Sequence, residues 1–354
     1  MSRNLVLCLD GTNNEYDATN TNVVKLYALL ERDGQLAYYQ PGIGTMPPPG
    51  MWGRLKKWWV TRLDLAIAWL LEKHVCDAYR FLMRYYEEGD QIYLFGFSRG
   101  AYSVRVLAGM LYKVGLLSRG NEELIPFAWD IFQKGGNVDL ATGFRHTFCR
   151  KVKVHFLGVW DTVSSVGWAE WSPQHFQYTQ NNPCVEVARH AIALDERRAY
   201  FVQNLWGAEP GQDVKEVWFP GVHCDVGGGY LEADAGLSKI TLEWMVREAE
   251  RFGLRTNAAA KAAIIPAAST FAYSAPSATA KKHESLHSFW WIPEFLPKRI
   301  KDPDNHWAPK WIVPLGRHRQ VREDARIHPS VFDRQASDPI YCPPNLPRIP
   351  HRGD

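Results

Sequence analysis

The segment QIYLFGFSRGAYSVRVLAGML, residues 91–111, narrows the architecture more than any other part of the chain. An apolar run climbs to Gly96 and Gly100, which bracket Ser98, and apolar residues at helical spacing follow almost without pause. Gly96-Phe97-Ser98-Arg99-Gly100 matches G-x-S-x-G, a weak pattern alone but a specific one where it follows a strand and opens a helix. A serine on so sharp a corner needs neighbours without side chains, because a Cβ there would drive strand and helix into each other. The corner offers an exposed hydroxyl at the amino end of a helix, where the helix dipole and the N–H of Arg99 can stabilise a developing oxyanion. The bland alternative is a tight strand-to-helix turn with an incidental serine.

Other segments repeat the strand-then-helix rhythm. Residues 4–9, NLVLCL, read as a buried strand ending in the turn-former DGTNN. A helix follows, with Asn20 or Thr21 as its cap and Gly34 as its stop. Residues 35–40 predict a second strand, 62–88 a long amphipathic helix, 92–95 a strand and 99–114 the helix after the corner. KVKVHFLGVWDTV, 151–163, is another strand running into an aspartate. Residues 183–195 predict a helix, with Pro183 suited to its first turn. KEVWFPGVHCDVGGGY, 215–230, is a strand breaking into a glycine-rich loop, and 237–252 a helix. Strands alternating with helices imply a mostly parallel sheet covered on both faces, with ligand chemistry on the loops at the carboxyl ends of the strands. The expected organisation is one α/β domain over residues 1–335 and a Pro-rich tail over 336–354.

Bulk properties exclude several classes. With 354 residues, 46% hydrophobic and 22% charged, the chain can bury a substantial core without disulfides or metals. A net charge of +3 without a Lys/Arg block argues against nucleic acid as a partner. The first apolar run is too short for a signal-peptide core, and no stretch reaches the roughly 18 apolar residues of a membrane-spanning helix. The expected location is therefore the cytoplasm, with export open only to a route that reads no signal peptide. The six cysteines are scattered with no CxxC pair, so neither a disulfide scaffold nor a zinc site is expected, and no cofactor is implied. GFSRG lacks the Lys-Ser/Thr of a phosphate-binding loop, and no GxGxxG opens a strand–helix unit.

A nucleophilic serine needs a base and an acid. In α/β-hydrolases the order along the chain is Ser, then Asp or Glu, then His. Asp161 and Asp225 both follow strands; Asp225 is favoured because the acid usually lies after a later strand, and Asp161 is the second choice, with a helix cap as its bland role. Among the twelve histidines, His328 in DARIHPSVFDR stands where a last strand would end, with His306, His318 and His223 as alternatives. The turn after the first strand supplies Gly11 or Thr12 as the second oxyanion donor beside the Arg99 N–H, or is a simple Asp-Gly turn.

Taken together, LCLDGTNN, TNVVKLY, YYQPGIGT, LFGFSRGAYSVRVLAGML, GVWDTVSSVG, HAIALDERRAYF, WFPGVHCDVGGGY and IHPSV resemble the successive blocks of the type VI secretion phospholipase effector catalytic domain, from the amino terminus to about residue 332. The resemblance implies an α/β-hydrolase fold, ester substrates, glycerophospholipids in the secreted members, and a triad of Ser98, Asp225 and His328, with Asp161 as the alternative acid. It also implies an immunity protein as partner wherever the chain is exported as a toxin. The chain is compact beside the secreted effectors, which usually carry a sizeable extra membrane-anchoring region.

The substrate clues are independent of that resemblance. Around residues 45–75 a basic, tryptophan-rich segment with Trp52, Leu55, Trp58 and Trp59 suits a lid or a peripheral contact with a lipid surface; packing against the body is the alternative. HSFWWIPEFLPKRI, 287–300, poses the same choice between lining an acyl pocket and docking the carboxyl-terminal segment. The expected activity is hydrolysis of lipid or phospholipid esters through an acyl-enzyme. A short-chain carboxylesterase and a noncatalytic binding protein on the same fold are the competing readings.

Overall fold

The computed structural model describes residues 2–11, 19–42, 54–134, 138–163, 176–207, 210–287, 290–297 and 311–353, with the backbone alone described at 54–68 and at 138. The strands are β1 (Asn4–Leu9), β2 (Gln35–Gln40), β3 (Gln91–Phe97), β4 (Leu116–Leu117), β5 (Cys149–Arg150), β6 (Val154–Trp160), β7 (Val185–Ala193), β8 (Asp213–Phe219), β9 (Arg326–Ile327) and β10 (His351–Arg352). The helices are α1 (Asn22–Leu29), α2 (Arg54–Tyr85), α3 (Arg99–Lys113), α4 (Ile125–Lys134), α5 (Val138–Phe148), α6 (His223–Gly227), α7 (Gly236–Arg251), α8 (Ala258–Ile264), α9 (Trp291–Glu294) and α10 (Pro329–Ser337).

Eight of the described strands form one sheet in the order β10-β9-β8-β7-β6-β3-β1-β2, and every pairing in it is parallel. β4 and β5 make a small antiparallel pair beside it. Alternation along β1 shows how the two faces are covered. Leu5, Leu7 and Leu9 enter a core with α2, α3 and α4, whereas Val6 and Cys8 enter a second core with α1 and α7. The expected α/β architecture, a mostly parallel sheet with helices on both faces, is present. A sheet buried on both sides needs near-continuous apolar strands, and β1 and β3 have them.

One element differs from expectation. Residues 185–193, read as helix, are β7, at the middle of the sheet between β6 and β8. Its residues are shared between the two cores: Val185 and Ala188 lie in one, Val187, Ala191 and Ala193 in the other. Pro183 precedes the strand, a position where its missing N–H costs no ladder bond. Of the expected lid at 45–75, residues 45–53 lie outside the described ones, and from residue 54 its backbone belongs to α2. Residues 336–354, expected as a tail, close α10 and supply the edge strand β10, and Tyr341 within them is buried with its hydroxyl donating to Asp195 at 2.8 Å.

Register aligns the carboxyl ends of the central strands. Leu9 lies opposite Gly96, Phe97 opposite Trp160, Trp160 opposite Ala191 and Ala193 opposite Phe219. The residues that leave these strands therefore emerge at one edge of the sheet, where open parallel sheets place their ligand chemistry.

Candidate active site

Ser98 is the hinge between β3 and α3, with φ 57° and ψ −119°, a backbone conformation that non-glycine residues avoid. Its N–H donates to Trp160 O at 3.1 Å, so the sheet ladder holds it up to the last residue of the strand. The flanking glycines are there for lack of room. A Cβ on Gly96 would lie 2.6 Å from the carbonyl carbon of Gly100, and one on Gly100 would overlap Leu9 O at the end of β1. The helix therefore starts in contact with the neighbouring strand, and the serine side chain is pushed out to the edge. Arg99 is the first residue of α3, so its N–H is one of the first-turn donors without a carbonyl partner inside the helix.

His223 Nε2 lies 2.9 Å from Ser98 Oγ, and its Nδ1 lies 2.5 Å from Asp161 Oδ2. His223 opens α6 just after β8, and Asp161 directly follows β6, the sheet neighbour of β3. An ionised carboxylate only accepts, so Nδ1 carries the proton and donates to Asp161, while the Nε2 lone pair faces the serine hydroxyl. Phe97 and Phe201 flank the imidazole with ring centroids at 4.6 and 4.7 Å, fixing its plane and keeping it dry. Asp161 itself has a positive φ of 37° and is fully buried. Its Oδ1 accepts from Ala193 N at 3.0 Å and Arg319 Nη1 at 2.5 Å, and its Oδ2 accepts from Arg319 Nη2 at 3.0 Å.

These contacts decide the charge states. Burial works against an ionised Asp161, but the Arg319 charge and the hydrogen bonds from His223 and Arg319 outweigh it and hold the carboxyl well below the usual carboxylate range. Burial lowers the His223 pKa, and Asp161 only partly offsets this, so the imidazole is neutral at neutral pH. A neutral imidazole aimed at a serine hydroxyl can take its proton, and an ionised acid behind it can stabilise the imidazolium that forms. A second buried carboxylate, Glu196, accepts the backbone N–H of His223 at 3.2 Å and pairs with Arg198 at 2.9 Å. Burial raises the Glu196 pKa, yet the bond to Arg198 and its charge bring it down to about 2.

The residues expected for acid and base lie elsewhere. Asp225 caps the turn it stands in: its Oδ2 accepts from Val222 N at 3.0 Å and His283 N at 3.1 Å, and its Oδ1 meets His283 Nδ1 at 2.7 Å. His328 is the N-cap of α10, its Nδ1 accepting from Ser330 N at 3.2 Å while its ring stacks on Phe219 at 4.4 Å. The structure thus brings Asp161 and His223, rather than Asp225 and His328, to Ser98. The reason is topological. β6 lies directly beside β3, so its terminal aspartate is within reach of the serine corner, and β8 delivers His223 across the two intervening strands, β7 and β6. His318 is half-buried outside this array and His306 lies outside the described residues. Gly11 N–H donates to Asp10 Oδ1 at 2.7 Å, and Thr12 lies outside the described residues. Nothing in the sequence pointed to Arg319, Glu196 or Phe201. HCDVGGG, with a histidine between strand and glycine run, was the available signal for His223.

Among the described residues no group of three or more His, Cys, Asp or Glu is arranged to hold a metal ion, and no helix is long and apolar enough to cross a membrane.

Comparison with known proteins places the geometry in context. Residues 3–248 match the model of a family described as the T6SS phospholipase effector Tle1-like catalytic domain. The chain is 42% identical over 228 residues to the uncharacterized protein YEL023C of Saccharomyces cerevisiae, an alignment covering 59% of this chain and 33% of that protein. The chain thus spans about a third of that relative's length. Among solved structures, an uncharacterized protein from Pseudomonas aeruginosa is 21% identical, with a TM-score of 0.42, over 72% of this chain and 46% of that one. The Tle1 effector, solved bound to the VgrG spike of the type 6 secretion system, is 19% identical with a TM-score of 0.42, over 67% of this chain and 53% of the effector.

Proposed function

The chain belongs to the T6SS phospholipase effector Tle1-like catalytic domain family, and from that premise we propose that it is a serine hydrolase of lipid or phospholipid esters. The observation that carries this reading is the continuous line from Ser98 Oγ through His223 to Asp161, with spacings of 2.9 and 2.5 Å. In the reaction, His223 Nε2 takes the Ser98 proton as Oγ attacks the ester carbonyl. Negative charge develops on the carbonyl oxygen, and the Arg99 N–H at the start of α3 receives it. The loop after β1 supplies the second donor, Thr12 or, after its bond to Asp10 opens, Gly11. The imidazolium, held by Asp161, then gives its proton to the leaving alcohol and leaves an acyl-serine. Water, activated by the same histidine, attacks the acyl carbon, releasing the fatty acid and restoring the serine hydroxyl.

The lipid preference is supported by the surface beside the site. Trp290 packs against Phe201, which packs against His223. From Trp290 the chain enters α9, and Ile292 within it (50% exposed) and Phe295 (62%) and Leu296 (45%) just after it stand at the surface, where Leu315 (51%) joins them through its N–H bond to Glu294 O. Exposed apolar side chains clustered at the rim of an ester-cleaving site suit an acyl-chain or lipid-surface contact.

The test pairs p-nitrophenyl esters of graded chain length with phosphatidylcholine vesicles, using wild type and Ser98→Ala. Ser98-dependent cleavage of long chains and vesicles is expected. Cleavage of short esters alone would move the reading to a carboxylesterase. Absence of turnover together with absence of fluorophosphonate labelling at Ser98 would replace it with a binding role.

A further inference from the structure

Arg319 lies about 70 residues beyond the span that matches the family model, yet it touches the acid of the Ser98 array with both terminal nitrogens. We infer that Arg319 is a positioning residue of the active site: it grips Asp161 from behind so that Oδ2 stays aimed at His223 Nδ1, and it makes the carboxyl-terminal segment a working part of the catalytic unit. The inference rests on the serine-hydrolase reading of Ser98, His223 and Asp161.

The geometry carries it. A carboxylate with a single hydrogen bond turns about its terminal torsion, which has broad, roughly two-fold minima. Asp161 is denied that freedom because Oδ1 is held by Ala193 N and Arg319 Nη1, and Oδ2 by His223 Nδ1 and Arg319 Nη2. The clamp is itself fixed. Arg319 Nη1 also donates to Ala193 O at 3.1 Å and Nη2 to Phe201 O at 2.6 Å, while Asn345 Nδ2 ties Arg319 O to Leu194 O, each at 3.0 Å. A planar guanidinium meeting both oxygens of a carboxylate fixes orientation as well as charge; an ammonium at the same place supplies charge alone.

The clamp also sets the electrostatics of the base. The charged and titratable groups facing the buried His223–Asp161 pair are Arg319 from the carboxyl-terminal segment, Glu196 and Arg198 from the segment after β7, His190 on β7 itself, and Cys224 on α6. Asp161 with Arg319 and Glu196 with Arg198 make two closed ion pairs around the imidazole. Without Arg319 this surround carries one uncompensated negative charge, which favours the imidazolium. The base then protonates at higher pH, and the acid limb of the reaction moves up.

The experiment follows the rate of fluorophosphonate labelling of Ser98 against pH, a readout that needs no knowledge of the natural ester, in wild type, Arg319→Met and Arg319→Lys, with thermal melts alongside. Arg319→Met is expected to label at least tenfold more slowly at pH 8, with its acid limb displaced upward by about one pH unit. Arg319→Lys is expected to keep the wild-type limb, because the charge remains, but to label several-fold more slowly, because the two-point grip is lost. A folded Arg319→Met with the wild-type limb and rate overturns the proposal. If Arg319→Met does not fold, Arg319→Lys decides: a wild-type labelling rate there overturns the proposal, and a slower one with an unmoved limb upholds it. Wild type that never labels at Ser98 sinks the serine-hydrolase reading and this inference with it, whereas a labelled wild type beside unaffected variants sinks this inference alone.

Discussion

His223 meets Ser98 at 2.9 Å across 125 residues of chain, and the imidazole edge not turned to the serine is closed by Asp161. The pair is assembled by the sheet, since β3 delivers the serine and β8 the histidine to the same edge. The consequences for activity and stability can be measured separately.

Substitutions at the two candidate sets should separate cleanly. His223→Ala and Asp161→Asn are expected to lower ester hydrolysis by about 10⁴-fold, as loss of a triad member does elsewhere. His328→Ala and Asp225→Asn should retain turnover within about tenfold when corrected for folded fraction, because their partners are Ser330 and His283 rather than the serine. Steady-state kinetics with a p-nitrophenyl ester, alongside circular dichroism, checks this; equal losses at His328 and His223 would refute the assignment.

The acid limb of kcat/KM should lie below the ordinary imidazole value of 6.5, because burial lowers the His223 pKa by more than Asp161 restores. The base works only when neutral, so activity should be flat through pH 7 and fall about tenfold per pH unit below the limb. A limb above 6.5 would mean that Asp161 dominates over burial.

Glu196 links the site to acid stability. Its carboxyl titrates at about 2 rather than 4.5, so its contribution to stability is fully present above pH 4.5 and is lost as the pH falls toward 2. Glu196→Gln leaves the half-buried Arg198 without its carboxylate and should cost about 3 kcal/mol at pH 7. Urea titrations from pH 7 to 2.5 should find the gap between variant and wild type closing only below pH 4.5.

The glycines of the corner should differ sharply from glycines elsewhere. Gly100→Ala would force its methyl into Leu9 O and should destabilise by about 3 kcal/mol, with loss of serine labelling. Gly143, exposed within α5 with nothing near its missing Cβ, should accept alanine with a gain of up to about 1 kcal/mol. Chemical denaturation midpoints of the two variants, read against wild type, test the crowding argument directly.

The apolar rim should matter for lipid and not for small esters. Ile292→Ser with Phe295→Ser is expected to reduce vesicle hydrolysis about tenfold while p-nitrophenyl acetate turnover stays near wild type. Equal losses on both substrates would assign these residues to packing instead.

Several features were legible in the sequence because they are local. The apolar runs of β1, β3 and β6 predict buried strands, and Gly96 and Gly100 predict the corner, since steric exclusion acts between residues a few positions apart. β7 escaped because VEVARHAIA becomes a strand through its neighbours β6 and β8, which bury it on both sides, and a short apolar run carries no periodicity strong enough to exclude a helix. The sequence ranks Asp161 only second as the acid and His223 only among the alternatives to His328, for a related reason. Counting strands along the chain favoured Asp225, whereas reach depends on which strands lie side by side, and β6 beside β3 favours Asp161.

The sequence by itself determined the layered α/β architecture and the serine on its strained turn, because both follow from short-range sterics and hydrophobic patterning. Only the tertiary structure decided which of twelve histidines faces that serine, and that an arginine near the far end of the chain holds Asp161. Hydrogen bonds of about 3 Å between residues more than a hundred positions apart depend on sheet order and register, which no local pattern encodes.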